Sequence, residues 1–334
     1  MAFELQFLGA TERVTGSLYL LQAGASQILL ECGLVQGVAD EEQHNRAPFP
    51  FDPRAIDAVV ISHSHIDHSG RVPLLVKQGY EGPVYTHAAS KALCDIMLPD
   101  SGYLNEKEAE WENKKRARQG KTRIQPLYTR DEAEASISQF RGLEYETPTE
   151  IAPRLTLTLF DAGHILGASI VQLEYDDGGN RRTLVFSGDL GYRDAPLMDP
   201  TTRLTHADVV LMESTYGDRD HLPIDETLAE ITDVFEAARA AQGNILIPAF
   251  TVGRTQDLLY LMAEHYEDWN LGKWKIFLDS PMGISATKVY SQYRHLFAAT
   301  LFEPKSDYPD LPNLFATRTV EESMAINEIE AGAI

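Results

Sequence analysis

A chain of 334 residues with a formal net charge of −21 has room for about two domains, and its 43% hydrophobic content is ordinary for a folded protein. No apolar run reaches the roughly 18 residues of a membrane span, and the start, Met1-Ala2-Phe3-Glu4-Leu5, lacks the basic and apolar regions of a secretory signal. Cys32 and Cys94 are too few for a disulfide framework, so a cytoplasmic address is expected. The acidic balance repels polyanions at long range and argues against a surface that coats nucleic acid, although metals or local arginines can reverse the sign inside a cleft.

The first ~200 residues read as strands joined by glycine-rich turns. Alternating or buried apolar segments at residues 3–8, 17–22, 27–30 and 58–62 come first, and 155–160, 169–175 and 183–187 complete the set. Asp176-Asp177-Gly178-Gly179-Asn180 predicts a hairpin turn between the last two. Residues 105–118 form a charged helix ending in Lys114-Lys115-Arg116-Ala117-Arg118, for which a solvated face is the ordinary reading and a polyanion contact the alternative. From about residue 208 strands and helices alternate: strands at 209–212, 245–248 and 276–278, helices at 224–241, 254–265, 284–297 and 320–329. Such alternation implies a mostly parallel sheet covered by helices. An apolar strand starts at the final residues, 330–334, so the second domain is expected to be incomplete.

The densest chemical signal is His63-Ser64-His65-Ile66-Asp67-His68, directly after a buried strand. Imidazole and carboxylate suit a zinc ion. In an extended segment residues two apart point the same way, so His63 and His65 can clasp one ion while Asp67 and His68, past the turn, reach a second. Further ligands must come from elsewhere. Asp161-Ala162-Gly163-His164 and Ser187-Gly188-Asp189-Leu190-Gly191 each follow a strand, and an aspartate between glycines is well placed to bridge two cations. Taken singly, His164 and Asp189 would read equally well as a half-buried histidine and a turn-forming aspartate.

In order along the chain, Gly9-Ala10 with Val14-Thr15-Gly16-Ser17, the His63 cluster, Gly163-His164 and Ser187-Gly188-Asp189 resemble the motifs of the metallo-β-lactamase superfamily. Glu213-Ser214-Thr215-Tyr216-Gly217 resembles the first motif of its β-CASP branch, the RNA- and DNA-processing nucleases. Pro248-Ala249-Phe250-Thr251-Val252-Gly253-Arg254, Asp279-Ser280-Pro281-Met282 and Val320-Glu321-Glu322-Ser323 are similar to that branch too.

The resemblance implies an α/β fold: an αββα metallo-β-lactamase domain over 1–207, with an inserted parallel-sheet β-CASP domain over 208–334. It implies that His63, His65 and His164 bind a first zinc, that Asp67 and His68 bind a second, and that Asp189 bridges both. A hydroxide between the ions would be the nucleophile, and RNA phosphodiesters the substrate. Asp67 and Glu213 are implied as catalytic residues, Glu213 by assisting protonation of the leaving group. Thr251 and Arg254, between a strand and a helix whose first amides are exposed, are implied to meet substrate phosphates. A place for Arg254 in the domain interface is the structural alternative.

Two departures stand out. Glu31 occupies a position where the family usually has aspartate, a residue that holds metal ligands in place. The family's later motifs, each with a histidine, would follow Ile334, and His221 is the only spare histidine close to the motifs. Residues 1–334 are therefore expected to be C-terminally truncated, to hold one ion more tightly than the other, and to be nearly inactive alone. Two rivals remain: a hydrolase of a small ester, thioester or lactam, and a non-catalytic RNA-binding protein. Oligomeric state is open, a homo-oligomer included.

Overall fold

The computed structural model describes residues 3–298, 301 and 308–334. They form two compact units, one within residues 3–163, 167–190 and 201–213, the other within 164–166, 191–200 and the described residues from 214 onward.

In the first unit a six-stranded sheet runs β1 (Phe3–Phe7), β2 (Tyr19–Ala23), β3 (Ser26–Leu30), β4 (Ala58–Val60), β5 (Val84–His87) and β6 (Phe140–Leu143), in chain order. It is antiparallel up to β3 and parallel from β3 onward. A five-stranded sheet contains β7 (Thr149–Ala152), β8 (Leu155–Asp161), β9 (Ser169–Asp176), β10 (Arg181–Phe186) and β11 (Val209–Leu211), ordered from β11 back to β7. It is antiparallel except for β10 against β11. The expected turn at 176–180 joins β9 and β10, with Gly178 and Gly179 at φ 68° and 120°, where a side chain would be strained.

Period-two burial explains why these sheets pack face to face. Leu21, Ile28, Leu30 and Val60 of one sheet meet Leu157, Leu159, Val171, Leu173 and Leu184 of the other. On the far side of the first sheet, Leu29, Val59 and Ile61 pack under helices. The helices of this unit are α1 (Glu41–Arg46), α2 (Ile66–Ser69), α3 (Val72–Lys77), α4 (Ala88–Arg118) and α5 (Arg130–Ser136). Val72 and Leu75 of α3, Cys94 and Leu98 of α4 and Ala133 of α5 complete that layer. Each fully buried leucine or isoleucine is worth roughly 1.5–3 kcal/mol relative to exposure.

β8 and β10 both run antiparallel to β9, so their C-terminal ends lie at the same end of the sheet. A backbone bond from Ser169 N–H to the Ser62 carbonyl (2.9 Å) brings the end of β4 there as well. Three chemically loaded loops, after β4, β8 and β10, thus converge.

Several elements differ from expectation. β5, β6 and β7 were not foreseen in the sequence; each has only four residues, too few for a period to declare itself. The charged helix expected at 105–118 is the second half of the 31-residue α4, which continues through Pro99. Its first half, with Leu93, Met97, Leu98, Pro99 and Gly102 buried, contains a proline and a glycine that in sequence argue against a helix. At its basic end the exposed Lys115 pairs with Glu112 (3.6 Å), and the half-buried Arg116 donates to the Thr122 carbonyl (2.6 Å).

The second unit contains α6 (Ile224–Ala240), α7 (Arg254–Glu264), β12 (Ile276–Leu278), α8 (Pro281–Gln292), β13 (Leu314–Ala316) and α9 (Val320–Ile326). Leu228, Ile231, Phe235 and Ala238 line one face of α6, where Phe235 stacks on Trp269 at 5.2 Å over a core with Leu259, Met262 and Ile276. β12 and β13 pair in parallel, and Lys275 forms an isolated parallel bridge to Ala333, so the strand expected at 330–334 is a single bridge among the described residues. Residues 245–248, expected as a strand, are not one. Among the described residues only Ile245 N–H makes a ladder bond there, to the Ala333 carbonyl (2.9 Å), and one bond does not make a strand. α8 starts three residues earlier than expected because Ser280 caps it, accepting from Gly283 N–H (3.0 Å), and Pro281 takes the first helical position.

Candidate metal centre

The site is built outward from β3 and β4. Glu31, just past β3, is fully buried and sits at φ 62°, a left-handed conformation uncommon for a side-chain-bearing residue. Its carboxylate serves two groups: Oε1 accepts from Ser62 N–H (2.8 Å), and Oε2 faces His68 Nδ1 at 3.3 Å, a close ion pair without hydrogen-bond alignment. Ser62 Oγ in turn pairs with His63 Nδ1 (2.9 Å). The other ring nitrogen, Nε2, is then the one that faces His65 Nδ1 (3.1 Å) and Asp189 Oδ2 (3.7 Å).

The backbone that carries Asp67 and His68 is held tightly. The Asp67 carbonyl accepts from Ser17 N–H (3.0 Å), and the His68 carbonyl from Cys32 N–H (2.8 Å). A Cβ at Gly33 would collide with the Asp67 carbonyl, so only glycine allows this approach. The turn into α2, with His65 as its N-cap, separates His63 and His65 from Asp67 and His68. On the far side, Gly163 and Gly188 take positive φ (67° and 54°), and the Asp161 carboxylate fixes Gly163 N–H at 2.8 Å.

His63, His65, His164 and Asp189 each offer one ligand atom, and these atoms all lie within 4.8 Å of one another. Ligands about 2.0–2.2 Å from a shared ion sit roughly 3–4 Å apart, so this group fits a metal with little movement. Asp67 and His68 lie outside that foursome, and His68 connects to it through Asp189: its Nε2 is 3.3 Å from Asp189 Oδ1 and 3.6 Å from Asp67 Oδ2. Asp189 thus turns one oxygen toward His63 and the other toward His68.

Electrostatics point the same way. Burial pushes the Glu31 carboxyl above its ordinary pKa, with His68 opposing the rise. Burial alone would lower the His68 imidazole, but Asp189 and Glu31 outweigh it and hold it well above its ordinary value. A buried place framed by three carboxylates favours positive charge.

Glu213 follows β11. Its N–H donates to Ser187 Oγ (3.1 Å), and its Oε1 accepts from Leu190 N–H (3.3 Å), one residue beyond Asp189. Thr251 and Arg254 belong to the second unit. There Gly253 N–H is taken by Gln256 Oε1 (2.8 Å), so the exposed amide expected at the start of α7 is already satisfied. Arg254 remains about half exposed, with Asp257 at 3.8 Å. His221 does not join the metal group; its ring contacts Tyr216 and Tyr192. Sequence reasoning missed Ser62 and Leu190. The hydroxyl of Ser62, a polar residue ending a buried strand, could have been noticed, whereas the Leu190 contact uses a backbone amide and leaves no side-chain signal.

A sandwich that brings candidate metal ligands together on the loops after β4, β8 and β10 defines a class, and comparison with known proteins identifies it. A beta-lactamase superfamily domain profile matches residues 26–249, and a Beta-Casp domain profile matches 255–334. The chain belongs to the metallo-β-lactamase superfamily. Within it, the chain is a member of the β-CASP branch. It is 38% identical over 288 residues to a Thermus thermophilus protein named Ribonuclease TTHA0252, covering 86% of this chain and 60% of that one. Proteins named transcription termination factor FttA are also similar. The one from Methanococcus maripaludis is 32% identical over 292 residues (86% of this chain, 43% of that protein), and the one from Lokiarchaeum sp. 29% over 328 residues (95% and 48%). The chain therefore spans 43–60% of the length of these relatives. Among the described residues no helix is long and apolar enough to cross a membrane.

Replacing Glu31 with alanine would strip Ser62 N–H and His68 of a buried partner. Metal retention is expected to weaken about 10–100-fold, the usual effect of losing a residue that orients metal ligands. Competition against a chromophoric chelator measures this, with a thermal melt to show that the variant is folded. A folded variant with unchanged retention would reduce Glu31 to a space-filling residue.

Proposed function

We propose that this protein is a zinc-dependent ribonuclease that hydrolyses RNA phosphodiester bonds at a centre of two ions. The observation that carries the reading is the division of the Asp189 carboxylate, one oxygen toward His63 and the other toward His68. In this reading His63, His65 and His164 hold the first ion, Asp67 and His68 hold the second, and Asp189 stands between them. The histidine-rich donor set favours zinc over magnesium, which prefers an all-oxygen shell. The ions supply Lewis acidity, which activates water and offsets charge growing on phosphoryl oxygens.

The remaining chemistry belongs to the chain. Ser62 and Glu31 fix the orientation of the His63 and His68 rings, so that each presents Nε2. Glu213 delivers a proton to the departing oxygen, held in place by Leu190 N–H. Arg254, with Thr251 beside it, receives substrate phosphates in a β-CASP domain that begins near residue 208. The identity to a relative named as a ribonuclease supports RNA as substrate.

The test uses the natural full-length protein. Single-stranded RNA, a thioester panel and a lactam are offered before chelation, after it, and after zinc is returned. RNA cleavage should disappear on chelation and return with zinc. Thioester or lactam turnover exceeding RNA cleavage, or RNA cleavage indifferent to chelation, would overturn the proposal.

A further inference from the structure

Beyond the metal ligands, the second unit carries a series of planar side chains in contact with one another. Tyr216 and His221 stand in ring contact at 4.0 Å, tilted by 33°, and His221 reaches Tyr192 at 5.5 Å. The Arg219 guanidinium lies 4.8 Å from the centre of the Tyr216 ring. At the other end Tyr192 neighbours Arg254, whose charge opposes the rise that burial causes in the tyrosine pKa. Tyr216 is 49% exposed, and Arg219 and His221 are exposed as well.

Tyr216 is exposed while His221 and Arg219 lie against its ring, so the series is presented at the surface rather than buried in the core. Tilted ring faces ending in a guanidinium match one kind of ligand well: a nucleobase on a ring and its phosphate on the arginine. Charge alone cannot supply this affinity, because the chain is acidic at −21 and Arg219 is itself within 3.6 Å of Asp218. Stacking does not depend on net charge. Tyr216 also lies only three residues beyond Glu213 in the chain.

We infer that Tyr216, His221 and Tyr192 form a stacking platform for a base of single-stranded RNA, with Arg254 as the phosphate contact at its end. This rests on the ribonuclease reading. The test compares a cleavage-resistant oligoribonucleotide of about ten nucleotides, within the usual range of single-strand sites, with an abasic strand of equal charge. Binding is followed by fluorescence anisotropy. Tyr216→Ala should bind the base-bearing strand about 5- to 150-fold more weakly, the range for losing one stacked base. Its affinity for the abasic strand should not change, and Tyr216→Trp should restore the loss. Equal weakening on both strands, or no weakening on either, would overturn the platform while leaving RNA binding intact. Failure of the unsubstituted protein to bind either strand would instead sink the RNA reading and the platform with it.

Discussion

Replacing Asp189 with alanine is expected to empty the metal centre and to lower RNA cleavage by more than the roughly 10²–10³-fold typical of removing one stabilising donor. The reason is geometric. Asp189 Oδ2 lies 3.7 Å from His63 Nε2, and Oδ1 lies 3.3 Å from His68 Nε2, so a single side chain serves both halves of the site. Without it, the imidazoles of His63 and His68 crowd together, 4.1 Å between ring centres, with less negative charge to hold a cation among them. Asp189→Asn keeps the shape and one oxygen but loses the charge, and should fall between the native protein and the alanine variant. Elemental analysis of the purified protein reads the metal, and RNA cleavage by the full-length protein reads the activity. Native metal content together with native cleavage in Asp189→Ala would show that the bridging assignment is wrong.

The candidate ligands were legible because each sits where a buried apolar strand meets a turn. Val59-Val60-Ile61 announces the loop holding His63 and His65, Leu159-Phe160 the loop holding His164, and Val185-Phe186 the loop holding Asp189. Convergence of these loops was legible only through the family resemblance. It depends on β8 and β10 sharing a direction against β9, and on the Ser169–Ser62 bond that joins the two sheets. Neither leaves a mark in residue type.

Other parts were hidden for local reasons. The alternation after residue 208 promised a strand at 245–248, but strands are made by partners, and Ile245 has one ladder bond among the described residues. Pro99 and Gly102 disguised the first half of α4, which tertiary packing against β5 and α5 sustains. Glu31 could be flagged only by resemblance. Its double service to Ser62 N–H and His68 explains why a carboxylate is needed at that buried point. The left-handed backbone there would suit aspartate better than glutamate, and the longer side chain provides the reach.

Glu213→Gln should lower cleavage by roughly 10²–10⁴, the range for losing a general acid, while leaving metal content unchanged. The two readouts separate because glutamine keeps an oxygen where Glu213 Oε1 accepts from Leu190 N–H at 3.3 Å. The loop carrying Asp189 should therefore stay in place, and only the exchangeable proton is lost. That proton matters to the extent that the departing oxygen is a poor leaving group. An activated phosphodiester such as a p-nitrophenyl ester departs without help, so the variant should regain most of its rate on that substrate. If Glu213→Gln lost the same factor on both substrates, or lost its metal, Glu213 would be a positioning residue for the Asp189 loop. Leu190 N–H would then be its true partner, and the proton would have to come from another group.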